Sequence, residues 1–289
     1  MLIVVLFIWT IKNGGQMKKI LLIFAIALVS IVIYMFFINT NGFKTVEDAI
    51  AIQDLPDSFD DFKIVQFSDL LIGSTKTVED LDSITEKINN LKPDLIVFTG
   101  DLIARDYNIT EEEIEIIKEK LSLLDCSLYK YAVIGDNDEA NLDLYKEIIN
   151  DSGFILLDDQ STYIFYGDVS PIKLTGITDI DKLDSALYLA DELDTVYNIV
   201  LTHKPDNIDI IAEKQVDLVL AGHSLLGQIR IPFFGGTIKK NGANIYLDHH
   251  YTVNETELYV SAGLGTDNNL NIRAFNKPTI NLYRLQKAN

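Results

Sequence analysis

Beyond residue 60 the chain alternates short apolar runs with stretches of helical periodicity. Runs bounded by turn residues fall at 63–67, 95–99, 128–134, 198–202 and 217–221, each short enough for a buried strand. Between the first four lie amphipathic patterns at 78–91, 110–124 and 138–150, which predict helices. The second opens on Glu111-Glu112-Glu113, which suits the positive end of a helix dipole, and Thr110 with Glu113 spells a capping box. Apolar stretches at 161–166, 172–175, 245–248, 258–262 and 280–285 read as hairpin or edge strands. Residues 39–60 lack such a pattern, carry turn formers and read as a tether. The whole predicts a mixed α/β sandwich.

The N-terminus follows a different rule. Residues 20–38 are nineteen consecutive uncharged positions directly after Lys18-Lys19, enough at about 1.5 Å per residue to cross a hydrocarbon core of about 30 Å. The region lacks a small-x-small cleavage site, which favours an uncleaved anchor at 17–38 over a signal peptide. Residues 1–16 form a second apolar run that reads either as an extra segment or as sequence upstream of a start at Met17, since Gly14-Gly15 can be encoded by GGAGG, a bacterial ribosome-binding sequence.

Charge then narrows the partners. The chain of 289 residues has 24 basic and 43 acidic side chains, a net charge of −19, which argues against nucleic acid. Three of the bases and none of the acids precede residue 39, so the positive-inside rule puts a single-pass protein in the cell membrane with its globular part outside the cytoplasm. Much of the positive mean hydropathy, +0.15, sits in the same N-terminal stretch. The single cysteine, Cys126, excludes an internal disulfide framework and is expected to be a small buried residue. The sequons at Asn108 and Asn254 are read as coincidental.

Polar residues gather where the predicted strands stop, the place α/β folds put their sites. Asp69 follows the first strand, Asp101 the second, Asp136-Asn137-Asp138 the third, His203 the fourth and His223 the fifth. One strand-terminal aspartate is ordinarily a helix cap. Five successive strands ending in oxygen or imidazole donors form the informative pattern.

The segments Ser68-Asp69-Leu70-Leu71, Gly100-Asp101-Leu102-Ile103, Gly135-Asp136-Asn137-Asp138, Thr202-His203-Lys204 and Gly222-His223-Ser224-Leu225 together resemble the calcineurin-like metallophosphoesterases, over residues 61–289. Residues 227–232 and 258–266 are similar to membrane-associated bacterial phosphohydrolases related to UDP-diacylglucosamine pyrophosphatases. The resemblance implies a sandwich of two mixed β-sheets flanked by helices, with two adjacent divalent metals and a bridging hydroxide that attacks phosphorus. The family motifs are D-x-H, G-D-x-x-D, G-N-H-D/E, a lone histidine and G-H-x-H. Here Asp69 and the bridging Asp101 are kept, as are His203 and His223, while Asp136 takes the asparagine position. Leu71 and Leu225 replace two first-metal histidines, Ala104 an acid, and Asn137 the histidine that assists the leaving group.

The resemblance therefore implies one surviving half-site. Asp101, Asp136, His203 and His223, with Asp69 nearby, are the candidate ligands for one Mn²⁺ or Zn²⁺, and a second metal is not expected. Leu71 and Leu225 are expected to pack together in the vacated space. Arg230 is a weak candidate for a phosphate contact. Asp248-His249-His250 reads as a turn at a hairpin end, with a route to the metal left open. Two functions follow: an impaired, membrane-anchored protein that binds a phosphorylated ligand or a partner, or an active single-metal hydrolase of phosphate esters or pyrophosphates from membrane lipid or envelope precursors.

Overall fold

The computed structural model describes residues 14–53, 55–189, 197–267 and 270–288. Most of the stretch assigned to 1–16 lies outside them. Helix α1, Gly14–Ile33, runs into a π-helical turn, Tyr34–Ile38. Together they give one segment, Gly15–Phe36, long and apolar enough to cross a membrane and unburied by the rest of the chain.

The strands are β1 (Lys44–Ile52), β2 (Phe62–Phe67), β3 (Leu95–Phe98), β4 (Tyr129–Ala132), β5 (Ile155–Leu156), β6 (Gln160–Ile164), β7 (Ile172–Ile177), β8 (Asn198–Thr202), β9 (Leu218–Ala221), β10 (Arg230–Ile231), β11 (Gly235–Gly236), β12 (His250–Val253), β13 (Thr256–Val260) and β14 (Thr279–Lys287). They form two six-stranded sheets, ordered β1-β14-β2-β3-β4-β5 and β12-β13-β9-β8-β7-β6, and one small ribbon, β10-β11. Both large sheets are mixed: β2 to β5 are parallel with β14 antiparallel to β2, and β7, β8, β9 and β13 are parallel with β6 and β12 antiparallel at the edges.

Apolar residues fill three spaces. Between the sheets, Phe62, Ile64, Leu95 and Val97 meet Leu174, Ile199, Leu201 and Leu218. Helices α2 (Asp80–Leu91), α3 (Glu111–Ser122) and α4 (Leu142–Asp151) cover the outer face of the first sheet, and the short α5 (Leu183–Leu187) and α6 (Ile208–Ile211) that of the second. The expected capping box forms: Thr110 Oγ1 accepts from the Glu113 N–H at 3.3 Å, and Glu113 Oε2 accepts from the Thr110 N–H at 2.9 Å. Cys126 is half-buried against the core beneath α2, α3 and α4.

Two local expectations need correction. Residues 39–60 are not a tether, because 44–52 pair in parallel along the whole of β14 and supply the edge of the first sheet. Residues 245–248 do not form a strand. The Asp206 carboxylate takes the N–H groups of Asn244 and Ile245 at 2.7 and 3.2 Å, and the Tyr251 hydroxyl takes those of Leu247 and Asp248. With their donors spent on side chains these residues have no ladder to join, and the hairpin starts at His250 instead.

Candidate metal centre

The carboxyl ends of β2, β3 and β4 in one sheet and of β8 and β9 in the other converge on one cleft. Buried Gln66 ties these ends together, donating to Thr99 Oγ1 and to the Ala221 carbonyl, both at 3.0 Å. The turns beyond the strands are tight. Gly100 and Gly135 approach so closely that a Cβ on Gly135 would lie 2.4 Å from the Asp101 nitrogen. Asp69, Leu71, Asp101, His223 and Leu225 all adopt left-handed backbone, with φ from 47° to 62°, a conformation that costs an ordinary L-residue about 1–2 kcal/mol. Such strain collects where a loop is shaped for a site.

Asp101, His203 and His223 meet here, their ligand atoms all within 4.8 Å of one another and all three residues buried. His203 Nδ1 lies 2.6 Å from the Thr99 carbonyl, and His223 Nε2 lies 2.9 Å from the Asn241 carbonyl. A ring nitrogen facing a carbonyl must carry the proton. The inner nitrogens, His203 Nε2 and His223 Nδ1, therefore turn their lone pairs towards each other at 3.1 Å, with Asp101 Oδ2 3.3 Å from His203 Nε2. Two lone pairs so placed need a proton or a cation between them, and the nitrogen–nitrogen–oxygen set suits a divalent metal.

Electrostatics favour a proton on His203 when no metal is bound. Burial alone would depress His203, but the Asp101 carboxylate overrides it and raises the ring to about 10. Burial and the neighbouring His203 cation push His223 down to about 4. Burial works to raise Asp101, and His203 more than reverses this, holding the carboxyl well below its usual range. Burial, with the Asp101 charge added, raises Asp69 to about 6.

The other sequence-predicted residues lie around this trio. Asp136 stands apart, paired with Lys204 at 2.9 Å and 3.9 Å from His223 Nε2. Asn137 donates its backbone N–H and its side-chain amide to the two oxygens of Asp101, at 2.8 and 3.0 Å. Asp138 accepts the N–H groups of Asp101, Leu102 and Gly135 at 2.8 to 3.0 Å, so it organises two of the site turns and does not orient its neighbour's side chain. Asp69 Oδ2 accepts the His223 N–H at 3.1 Å, while its Oδ1 is buried without a partner among the described residues.

Leu71 and Leu225 are both buried, and what lies against each is the turn at Gly263–Gly265. A Cβ on Gly263 would come within 2.4 Å of the Leu225 side chain, and one on Gly265 within 2.7 Å of Leu71 Cβ. Behind this turn the fully buried Arg273 donates to the carbonyls of Ala262 and Gly265 at 2.8 and 2.5 Å.

Arg230 is outside the cleft, committed to Asp248 and to the Leu226 and Leu247 carbonyls. Neither histidine of the Asp248-His249-His250 run reaches the trio: His249 bonds Asp48 at 2.8 Å, and His250 bonds Glu257. Pattern reading missed the cations of the cleft. Arg105, Lys239 and Lys240 line a polar space of about 610 Å³ together with Asp101, Asp136 and His223. Lys240 is fixed by the His223 carbonyl and Asp267, both at 2.7 Å. The available signal was positional: Lys239-Lys240-Asn241 follows a tight ribbon in an otherwise acidic domain.

Two facing sheets with such a carboxylate–imidazole cluster at their strand ends define a metallophosphoesterase fold. The chain belongs to the calcineurin-like phosphoesterase family, whose model matches residues 62–226. Among its relatives, the metallophosphoesterase YkuE of Bacillus subtilis (strain 168) is 32% identical over 260 residues, spanning 89% of this chain and 90% of that one. The UDP-2,3-diacylglucosamine pyrophosphatase LpxG of Chlamydia muridarum is 25% identical over 281 residues, with coverage of 77% and 83%. The phosphodiesterase YaeI of Escherichia coli (strain K12) is 26% identical over 239 residues, with coverage of 81% and 85%.

Proposed function

We propose that the protein is a membrane-anchored binder of a phosphorylated ligand, holding one Mn²⁺ or Zn²⁺ and strongly impaired in hydrolysis. Asp101, His203 and His223 are its ligands, with Asp136 as a fourth donor once released from Lys204. One observation carries the reading: the position where the family keeps its leaving-group histidine holds Asn137, whose amide is turned inward onto Asp101. An amide cannot deliver a proton as an imidazolium does, and that assistance is worth about 10²–10⁴ in rate. The metal supplies charge to bind a phosphoryl oxygen, and Arg105, Lys239 and Lys240 add cationic contacts at the rim.

The ligand class follows from two supports. Apolar α1 leads directly into the domain, and relatives include an enzyme named for a diacylated nucleotide sugar. A phosphorylated lipid or envelope precursor fits both. Lys18 and Lys19 near the start of α1, ahead of its uncharged stretch, support a domain outside the cytoplasm. The second reading, an active single-metal phosphohydrolase, draws support from the intact trio.

Full-length protein in detergent, stripped of metal and titrated calorimetrically with Mn²⁺ and Zn²⁺, tests both. One metal per chain, lost in His203→Ala and His223→Ala, with inorganic phosphate bound and bis(p-nitrophenyl) phosphate left intact, is the expected outcome. Metal-dependent turnover that disappears in the same variants would establish the hydrolase. Failure to bind metal would sink both readings.

A further inference from the structure

The ribbon β10-β11 ends in an apolar tip that the cleft does not use. Phe233 is fully exposed and Phe234 85% exposed, with Ile231 and Phe275 beside them about half exposed. Burial in water-soluble folds removes such side chains from solvent, so a cluster of this kind marks a surface built for another phase or partner. The tip is closed by a turn. The Phe234 N–H donates to the Ile231 carbonyl at 3.0 Å, closing a turn with Pro232 second and Phe233 third. Phe233 has φ 71°, a place normally given to glycine. The chain accepts that strain to present a phenyl ring at the apex.

The tip is also joined to the end of the membrane helix through three linked contacts. Arg230 N–H donates to the Ala274 carbonyl at 2.9 Å, Arg273 N–H donates to the Met35 carbonyl at 3.2 Å, and the Tyr34 and Phe275 rings lie 5.6 Å apart. Between α1 and β1 the chain has little slack, since Asn39 and Thr40 are buried and Asn39 accepts from the Tyr34 hydroxyl at 3.0 Å. Helix end, loop 273–275 and ribbon are thus linked, and Phe275 lines the same surface as Phe233 and Phe234.

We propose that Phe233 and Phe234 insert into the acyl–headgroup boundary of the bilayer that α1 crosses, as a second membrane contact. Aromatic side chains suit that boundary. Lys239 and Lys240 line the cleft three and four residues beyond β11, so the inserted tip presents the cleft to the headgroup layer, where an amphiphilic phosphorylated ligand would be met without leaving the membrane. This rests on the reading of α1 as a membrane span.

The test uses the full chain carrying Trp9→Phe, which removes its single tryptophan, reconstituted into phosphatidylcholine vesicles brominated near the headgroup end of the acyl chains. Phe234→Trp reports on the tip. Val169→Trp, exposed in the turn before β7 at the opposite end of the strands, is the control. Loss of about half the emission at position 234, with little at 169, is expected for interfacial insertion. Equal quenching of both positions by aqueous acrylamide, with none by bromolipid, would overturn the proposal. Shielding of position 234 from both quenchers would also overturn it, assigning the tip to a protein partner or a second copy. Vesicle flotation keeps the two readings apart: a chain that does not float refutes the anchor, and one that floats with an unquenched tip refutes only the insertion.

Discussion

On either side of Asp101 the cleft runs through loops of the same left-handed backbone and ends in opposite chemistry. On the His203–His223 side, lone pairs converge and every distal nitrogen has a carbonyl to hold it. On the Asp69 side, Leu71 and Leu225 keep the strained φ of the turns, 47° and 48°, but offer no donor, and the Gly263–Gly265 turn closes over them. Leucine gains nothing from such a conformation. The turns at Asp101 and Gly135 are held by N–H groups bonded to the Asp138 carboxylate, so their shape does not depend on which side chains face the cleft.

The largest effect is expected from placing histidines at the three positions where the family motifs carry them. In Leu71→His/Leu225→His/Asn137→His the backbone needs no change, so metal stoichiometry by calorimetry should rise from one to two, and turnover of a phosphodiester should rise by about 10²–10⁴. An unchanged stoichiometry would show that the glycine turn has closed the first half-site to any ion. Next, His203→Ala leaves the buried Asp101 carboxylate without its counterpart. Metal binding should vanish, and urea denaturation should show a loss of about 3–5 kcal/mol.

Asp138→Asn sharpens the comparison from below. It turns an amide donor against N–H groups now accepted by a carboxylate oxygen, for a loss of about 2–3 kcal/mol. It should weaken the metal about 10–100-fold, as loss of an orienting group does, without altering stoichiometry. Asn137→Ala is the mildest: one side-chain bond to Asp101 is lost, worth about 1 kcal/mol in the melting curve, and the number of metals stays the same. A larger effect there would mean that Asn137 belongs to the ligand shell.

The buried parallel strands were legible because their runs, such as 95–99 and 217–221, are apolar on both faces and end at polar residues. Strand β1 was not. Its first half carries Lys44, Glu47 and Asp48, and only Ile50 and Ile52 point inward, a weak alternation whose partner lies at the far end of the chain. The site divides similarly. Strand order brought Asp101, His203 and His223 together, as their spacing after the strands implied. Asp136 stands outside the trio, paired with Lys204, one residue past His203. Charge pairing of this kind depends on side-chain reach across loops and leaves no periodic trace. Arg230 failed for the same reason, having Asp248 across the ribbon base.

The pairing of β1 with β14 also sets a timetable. The strand that follows α1 pairs with β14, which begins at Thr279, so during synthesis the sheet edge stays open while more than about 200 residues follow it. At about 5–20 residues per second this interval is on the order of 10–50 s. Through that time the nascent sheet exposes an unpaired edge, and its closure waits on residues 279–287.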